Sequence, residues 1–431
     1  MHLYDLPLIF VLVGLALYAV LAGADFGAGL WQLLAGSGER AERLGEHAHE
    51  AMAPVWEANH VWLIFVLTVS WTAYPAAFGA VASTLAVPFF LAAVGIILRG
   101  AAYALRSGSA NTRERRRIDR AFAGASLLTP FALGTMVGAV ASRRVPPGNA
   151  AGKLFASWLN PTSLTVGALA VCASAYMAAV FMAADAARTG DEQLVRSLRL
   201  RALAAGCATG ALAVAGLIVL HADAHVLYER MVHREALIGP AVSALAGLAT
   251  LALVHTRRFE PARYAASLAV AAVIGGWGYA QYPSLLPGLT VAQAAASHDV
   301  LVALVVAVLA GALVLFPSLA LLFGLHLKGR FDPGPSPRVA ARTAGRDLFQ
   351  PSRAGLATRL ALACLVAGFG LLTLAEAGWA HTLGLIALLG FALSGFHAAL
   401  GVLLASPLPL GDPGDRGDAG EAPPASRASS S

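Results

Sequence analysis

Charge is what this chain lacks most. Only 13% of its 431 residues are Asp, Glu, Lys or Arg, 58% are hydrophobic, and the mean hydropathy is +0.69. A soluble domain carries about 25% charged residues, so roughly half the usual solvated surface is missing and the class is membrane, not globular. Cysteine is scarce too. Cys172, Cys207 and Cys364 all fall inside apolar runs, which excludes a disulfide framework and leaves no CxxC pair to hold a metal. Each reads as a small hydrophobe. The net charge of +6 comes from basic residues scattered between apolar runs instead of gathered in a stripe, so no nucleic acid partner is expected. No basic region precedes the first apolar run, which is itself long enough to span, so no cleavable signal peptide is expected.

Long apolar runs are what the chain has instead. A hydrocarbon core of about 30 Å takes about 20 apolar helical residues, and backbone in lipid must bond internally, so such runs are helices. Eleven qualify, near 7–34, 60–83, 85–105, 121–141, 164–184, 201–221, 236–255, 264–282, 299–325, 356–375 and 381–404. The expected fold is all-α, a polytopic bundle of about eleven transmembrane helices, with the second and third runs abutting near Ser83 and Thr84. Pro75, Pro88, Pro130 and Pro317 lie within runs and are expected to kink them. Residues 328–355 carry six basic residues and four prolines and read as a cytoplasmic linker. Residues 356–404 hold the last two runs as a hairpin, and 405–431, rich in Gly, Pro, Asp and Ser, have the composition of a disordered tail.

Loop charges test the count. With the first run starting outside, 23 of the 30 Lys and Arg fall in the loops and tail of one side, against Arg143, Arg144, Lys153, Arg230 and Arg234 on the other. Arg99 and Arg359 lie within runs. Cytoplasmic loops carry the excess of basic residues, which places the N-terminus outside and the C-terminus in the cytoplasm.

A charge at the bilayer centre costs about 2.5–3.5 kcal/mol on insertion scales, so such residues are paired or functional. Asp25 lies in Gly23-Ala24-Asp25-Phe26-Gly27-Ala28-Gly29, Glu57 in Pro54-Val55-Trp56-Glu57-Ala58-Asn59-His60-Val61-Trp62, and Arg99 in Leu98-Arg99-Gly100. At 1.5 Å per residue, Asp25 and Arg99 sit roughly 27 and 21 Å below the outer ends of their helices. Glu57 and His60, at the expected start of the second helix, come to a similar level. A polar cluster in the cytoplasmic third of the first helices follows, with glycines around Asp25 allowing close helix approach. Two readings stay open. Asp25 and Arg99 form a structural ion pair while Glu57 is a first-turn carboxylate favoured by the helix dipole, or the group lines a proton entry path. His221 and His225 have metal-binding spacing, but without a third ligand they read as a polar helix end.

These residues also carry a resemblance. The segment from Gly23 to Gly29 resembles the first-helix motif of subunit II of cytochrome bd-type quinol oxidases. The stretch Ala53 to Ile64, an acidic residue between Trp56 and Asn59 followed by Val61-Trp62-Leu63, resembles that family's second-helix entry. Further matches follow in order: Arg99 with Arg106, Leu159-Asn160-Pro161, Tyr282-Pro283, Leu289-Thr290, Ala294-Ala295-Ala296-Ser297 and Lys328-Gly329-Arg330. The resemblance implies a nine-helix core over residues 1–327 in a bacterial inner (plasma) membrane, paired with a larger subunit I. Subunit I would hold haem b and haem d, or haem b alone, and oxidise quinol with O2, while this chain carries no haem and stabilises its partner. A terminal oxidase of this kind is electrogenic because it draws its protons from the cytoplasm. The family associates the acidic residue matching Glu57 with the proton path; Asp25, Trp56, Asn59, His60 and Arg99 would support it. The resemblance leaves room for a structural quinone or lipid, and for a small accessory subunit against the final hairpin. Glu57 stands where some members have Asp, Gly100 where some have Pro, and Ala292-Gln293 where some have Trp-Asp, so nothing is carried over at the last position.

Two other classes compete. A secondary transporter also uses intramembrane charges and broken helices, but would favour an inverted repeat, and none is evident. A self-contained membrane cytochrome b needs paired axial ligands, for which the sequence offers no clear set.

Overall fold

Apolar segments close their hydrogen bonds within helices and leave polar residues for the helix ends. The computed structural model describes residues 2–36, 38–106, 112–233, 235–327, 360–361, 363–368 and 378–405. The helices are α1 (Leu6–Leu34), α2 (Glu39–Ala73), α3 (Pro75–Thr84), α4 (Ala86–Arg106), α5 (Thr112–Ala141), α6 (Pro161–Thr189) and α7 (Glu192–Asp223). They continue with α8 (His225–Val232), α9 (Ile238–His255), α10 (Phe259–Gln281), α11 (Val291–Ala294) and α12 (His298–Leu327). A two-stranded antiparallel hairpin, β1 (Ser284–Leu286) and β2 (Leu289–Thr290), lies between α10 and α11. The chain divides into two units, Met1–Gly324 and Leu325–Ser431. In the second, α13 (Gly378–Ala405) packs on a helical stretch at 363–368, where Gly368 faces Leu388 and Gly390 faces Cys364. The expected linker 328–355 and the tail beyond 405 lie outside the described residues.

Contacts at the two ends of the first unit fix its up-and-down path. At one end, Tyr74 Oη donates to Tyr4 O at 2.6 Å, Tyr282 Oη to Asp5 Oδ1 at 3.4 Å, and Ala296 N to Ala73 O at 2.8 Å. There too, Arg144 pairs with Asp223 at 2.5 Å, and Asp223 Oδ2 accepts from Thr162 Oγ1 at 2.7 Å. At the other end, Arg43 meets Asp191 at 2.6 Å, Arg257 meets Glu192 at 3.2 Å, and Arg199 Nη2 donates to His255 O at 2.7 Å. Successive long helices therefore alternate in direction. α1 packs on α2, α5, α6 and α10, and α6 also packs on α5 and α7. The core gathers around α6, where Met177, Ala178, Ala179, Val180, Met182 and Ala183 are fully buried beside Ala24, Leu198, Ala262 and Ala266.

Two expectations change. The second apolar run, 60–83, is not one helix. α2 begins at Glu39 and ends at Ala73, Tyr74 leaves helical geometry (φ −133°, ψ 60°), and Pro75 starts α3 at a first-turn position instead of kinking a span. α3 and α4 then meet at a bend of 83°. Among the described residues, six helices are long and apolar enough to cross a membrane, or seven if the bent pair is one span. That is fewer than the eleven expected, because the apolar part of α2, Asn59–Ala73, is short, α10 is not among the six, and the last hairpin is only partly described.

Candidate functional site

α1 carries Asp25 between small residues, and those residues set how close its neighbours come. A Cβ at Gly27 would overlap the Ser174 carbonyl on α6, and one at Gly29 would overlap Ser126 Oγ on α5. α1 is thereby wedged between α5 and α6, with Asp25 only 4% exposed.

Arg99 reaches this carboxylate from α4 and is 2% exposed. Its Nη2 lies 2.5 Å from Asp25 Oδ1 and also donates to the Asp25 carbonyl at 3.3 Å. Nη1 donates to Ser126 Oγ, which in turn donates to Phe122 O at 2.6 Å. The guanidinium faces the rings of Phe26 and Phe122, with Cζ 4.8 and 4.3 Å from their centroids. Asn59, on α2 and 2% exposed, donates from Nδ2 to Asp25 Oδ2 at 3.2 Å. One buried network thus ties α1, α2, α4 and α5. Each carboxylate oxygen has a donor, and the flat, weakly hydrated guanidinium suits both the ion pair and the aromatic faces. Tyr18, Ala22 and Phe26 form a buried cluster beside it with Trp62, Leu63 and Leu133 packed on.

The expected pairing of Asp25 with Arg99 is present, and Asn59 joins it. Ser126, Phe26 and Phe122 were not anticipated. Phe122 and Ser126 are four residues apart and so share a helical face, the one signal the sequence offered. Glu57 departs from expectation in one respect. α2 starts at Glu39, so Glu57 stands in mid-helix and a first-turn dipole does not act on it. The side chains of Trp56 and Glu57 lie outside the described ones, and His60 is partly buried.

Elsewhere, His221 and His225 are exposed, with ring centroids 5.0 Å apart, and His225 lies 3.2 Å from Glu229. Among the described residues no group of three or more His, Cys, Asp or Glu is placed to hold a metal ion. In the connection between α6 and α7, the Leu194 N–H and the nearby Arg43 hold the Asp191 carboxyl below the usual carboxylate range.

Comparison with known proteins gives this geometry its context. Residues 3–326 match the family model described as cytochrome bd terminal oxidase subunit II. The chain is 26% identical over 322 residues to cytochrome bd-I ubiquinol oxidase subunit 2 of Escherichia coli (strain K12), covering 66% of this chain and 82% of that protein. It is 28% identical over 134 residues to cytochrome bd ubiquinol oxidase subunit 2 of Bacillus subtilis (strain 168), covering 31% and 39%. A chain of the bd oxidase from Geobacillus thermodenitrificans superposes with a TM-score of 0.62 at 27% identity, covering 76% of this chain and 99% of that one.

Proposed function

The chain belongs to the cytochrome bd terminal oxidase subunit II family, and from that premise we propose that it is the haem-free partner of a larger subunit I in the bacterial plasma membrane. Subunit I would carry haem b with haem d, or haem b alone, and pass electrons from quinol to O2. This chain would hold subunit I in shape by packing and would supply part of the route by which cytoplasmic protons reach the oxygen-reducing haem. Each O2 reduced to water consumes four electrons and four protons, so a route from one side of the membrane makes the reaction electrogenic.

The observation that supports the proton route is the buried chain Asn59–Asp25–Arg99–Ser126. It fixes the α2 backbone two residues beyond Glu57 against α1 and α4. A carboxyl group held at that level exchanges protons with cytoplasmic water on one side and passes them on at the other. Asp25 has a different role, because both its oxygens are already taken by donors from other helices. It is the fixed counter-charge that keeps α2 in register.

The test is quinol-driven O2 uptake per haem in the complex purified through a tag on this chain. A larger haem-bearing polypeptide is expected to co-purify, and its absence would sink the partnership. Glu57→Gln keeps size and hydrogen bonding but cannot carry a proton. It is expected to assemble, with haems reduced by quinol, yet to turn over about 10²-fold slower or more, the lower range for a general acid–base group. Glu57→Asp is expected to keep much of the activity. Wild-type turnover in Glu57→Gln would end the proton-route reading.

A further inference from the structure

Far from the buried network, the end of the bundle assigned to the cytoplasm carries an open groove of ≈ 440 Å³. Ala184, Ala187 and Arg188 from the end of α6 line it, with Arg257 and Arg258 from the α9–α10 connection and Phe259, Glu260 and Pro261 from the start of α10. Its floor is apolar, with Phe259 only 5% exposed, and its rim holds three guanidinium groups against one carboxylate.

The charges are unevenly matched. Arg257 pairs with Glu192 at 3.2 Å, and Arg188 pairs with Asp185 and lies 3.6 Å from Glu260. Glu260 is shared with Arg263, also at 3.6 Å. Arg258 is exposed and makes no ion pair with any described residue. No side chain caps the N-terminus of α10, so its first amide N–H groups and the positive end of its dipole face the same rim. Four arginines thus stand among three carboxylates, leaving an excess of positive charge where α6 and α10 leave the apolar slab.

We propose that this groove binds the phosphate of an anionic phospholipid headgroup of the cytoplasmic leaflet. The guanidinium fork matches phosphate geometry, while the alanines, Phe259 and Pro261 receive the start of the acyl region. A free phosphate would use the same donors but gain nothing from the apolar floor. The site is independent of the proton route and does not depend on it.

The experiment uses the complex containing the full chain, in nanodiscs of phosphatidylcholine with graded phosphatidylglycerol. Native mass spectrometry counts the phosphatidylglycerol retained on release. The wild type is expected to retain it selectively over phosphatidylcholine. Each basic residue near an anionic surface changes association about fivefold, so Arg188→Gln/Arg258→Gln is expected to weaken retention about 25-fold. Arg188→Lys/Arg258→Lys, which keeps the charge but not the fork, is expected to recover part of it, separating charge recognition from a folding defect. Equal retention by the wild type and the glutamine variant overturns the proposal, as does retention without preference for phosphatidylglycerol. Displacement of the lipid by millimolar inorganic phosphate would give the groove to the free ion and overturn the lipid as occupant.

Discussion

Asp25 and Arg99 are the side chains this bundle finds hardest to bury, and the surroundings of each show how the burial is tolerated. An unpaired charge at bilayer depth costs several kcal/mol, but Asp25 meets donors from α2 and α4 while Arg99 lies against two aromatic rings. Removing one partner strands the other, a loss of about 3–5 kcal/mol for a buried pair. Asp25→Asn and Arg99→Leu are each expected to lower the yield of assembled complex and its melting temperature sharply. The double substitution is expected to restore part of both, since it leaves no charge unpaired. Two near-neutral single substitutions would disprove the coupling. The pair was legible in the sequence because charge inside an apolar run stands out. Ser126 was not, since a hydroxyl in an apolar helix commonly bonds its own preceding turn, as Ser126 does with Phe122 O. Only the arrival of Arg99 from another helix gives it a further task.

Among elements, α2 shows where hydropathy stops being informative. Its first half is polar, with Glu39, Arg40, Glu42, Arg43, Glu46 and His47, and so fell outside the apolar run. The helix nevertheless continues through it because Leu44, Ala48 and Met52 are buried in the same core as α6 and α7, and tertiary packing supplies what composition does not. The family motif marked Glu57 correctly as part of α2, yet could not show how far the helix extends before it. The α1–α6 crossing offers a sharper test of element packing. A Cβ at Gly27 meets the Ser174 backbone, which cannot rotate away, whereas one at Gly23 meets nothing closer than 3.8 Å. Overpacking typically costs about 1–3 kcal/mol, so Gly27→Ala is expected to lower the melting temperature of the complex by several degrees. Gly23→Ala is expected to change it little. Equal melting temperatures for the two variants would show that α1 and α6 are not held at this distance.

For the whole molecule, the all-α bundle and its alternating path were legible because charge separates the two ends of the helices. Six or seven spans by length and apolarity fall short of the hydropathy count because α2 divides its length between a polar and an apolar half, because α10 is not among them, and because the last hairpin is only partly described. The direction of travel survives that correction. Arg43, Arg188, Arg199 and Arg257 converge at one end through ion pairs and carbonyl contacts, and Arg144 and Lys153 belong to the α5–α6 connection at the other. Under the positive-inside rule, the first end is expected to face the cytoplasm. A fluorescent-protein fusion after Gly190, between α6 and α7, is therefore expected to fluoresce, and an alkaline phosphatase fusion there to be inactive. At Gly148, between α5 and α6, the outcomes are expected to reverse, because phosphatase folds only where its disulfides form. α6 alone separates the two sites, so the pair tests one crossing and its direction together. Phosphatase activity at both sites would mean that α6 does not cross. Exchanged signals would turn the bundle over, placing the proposed Glu57 route and the arginine groove on the periplasmic side.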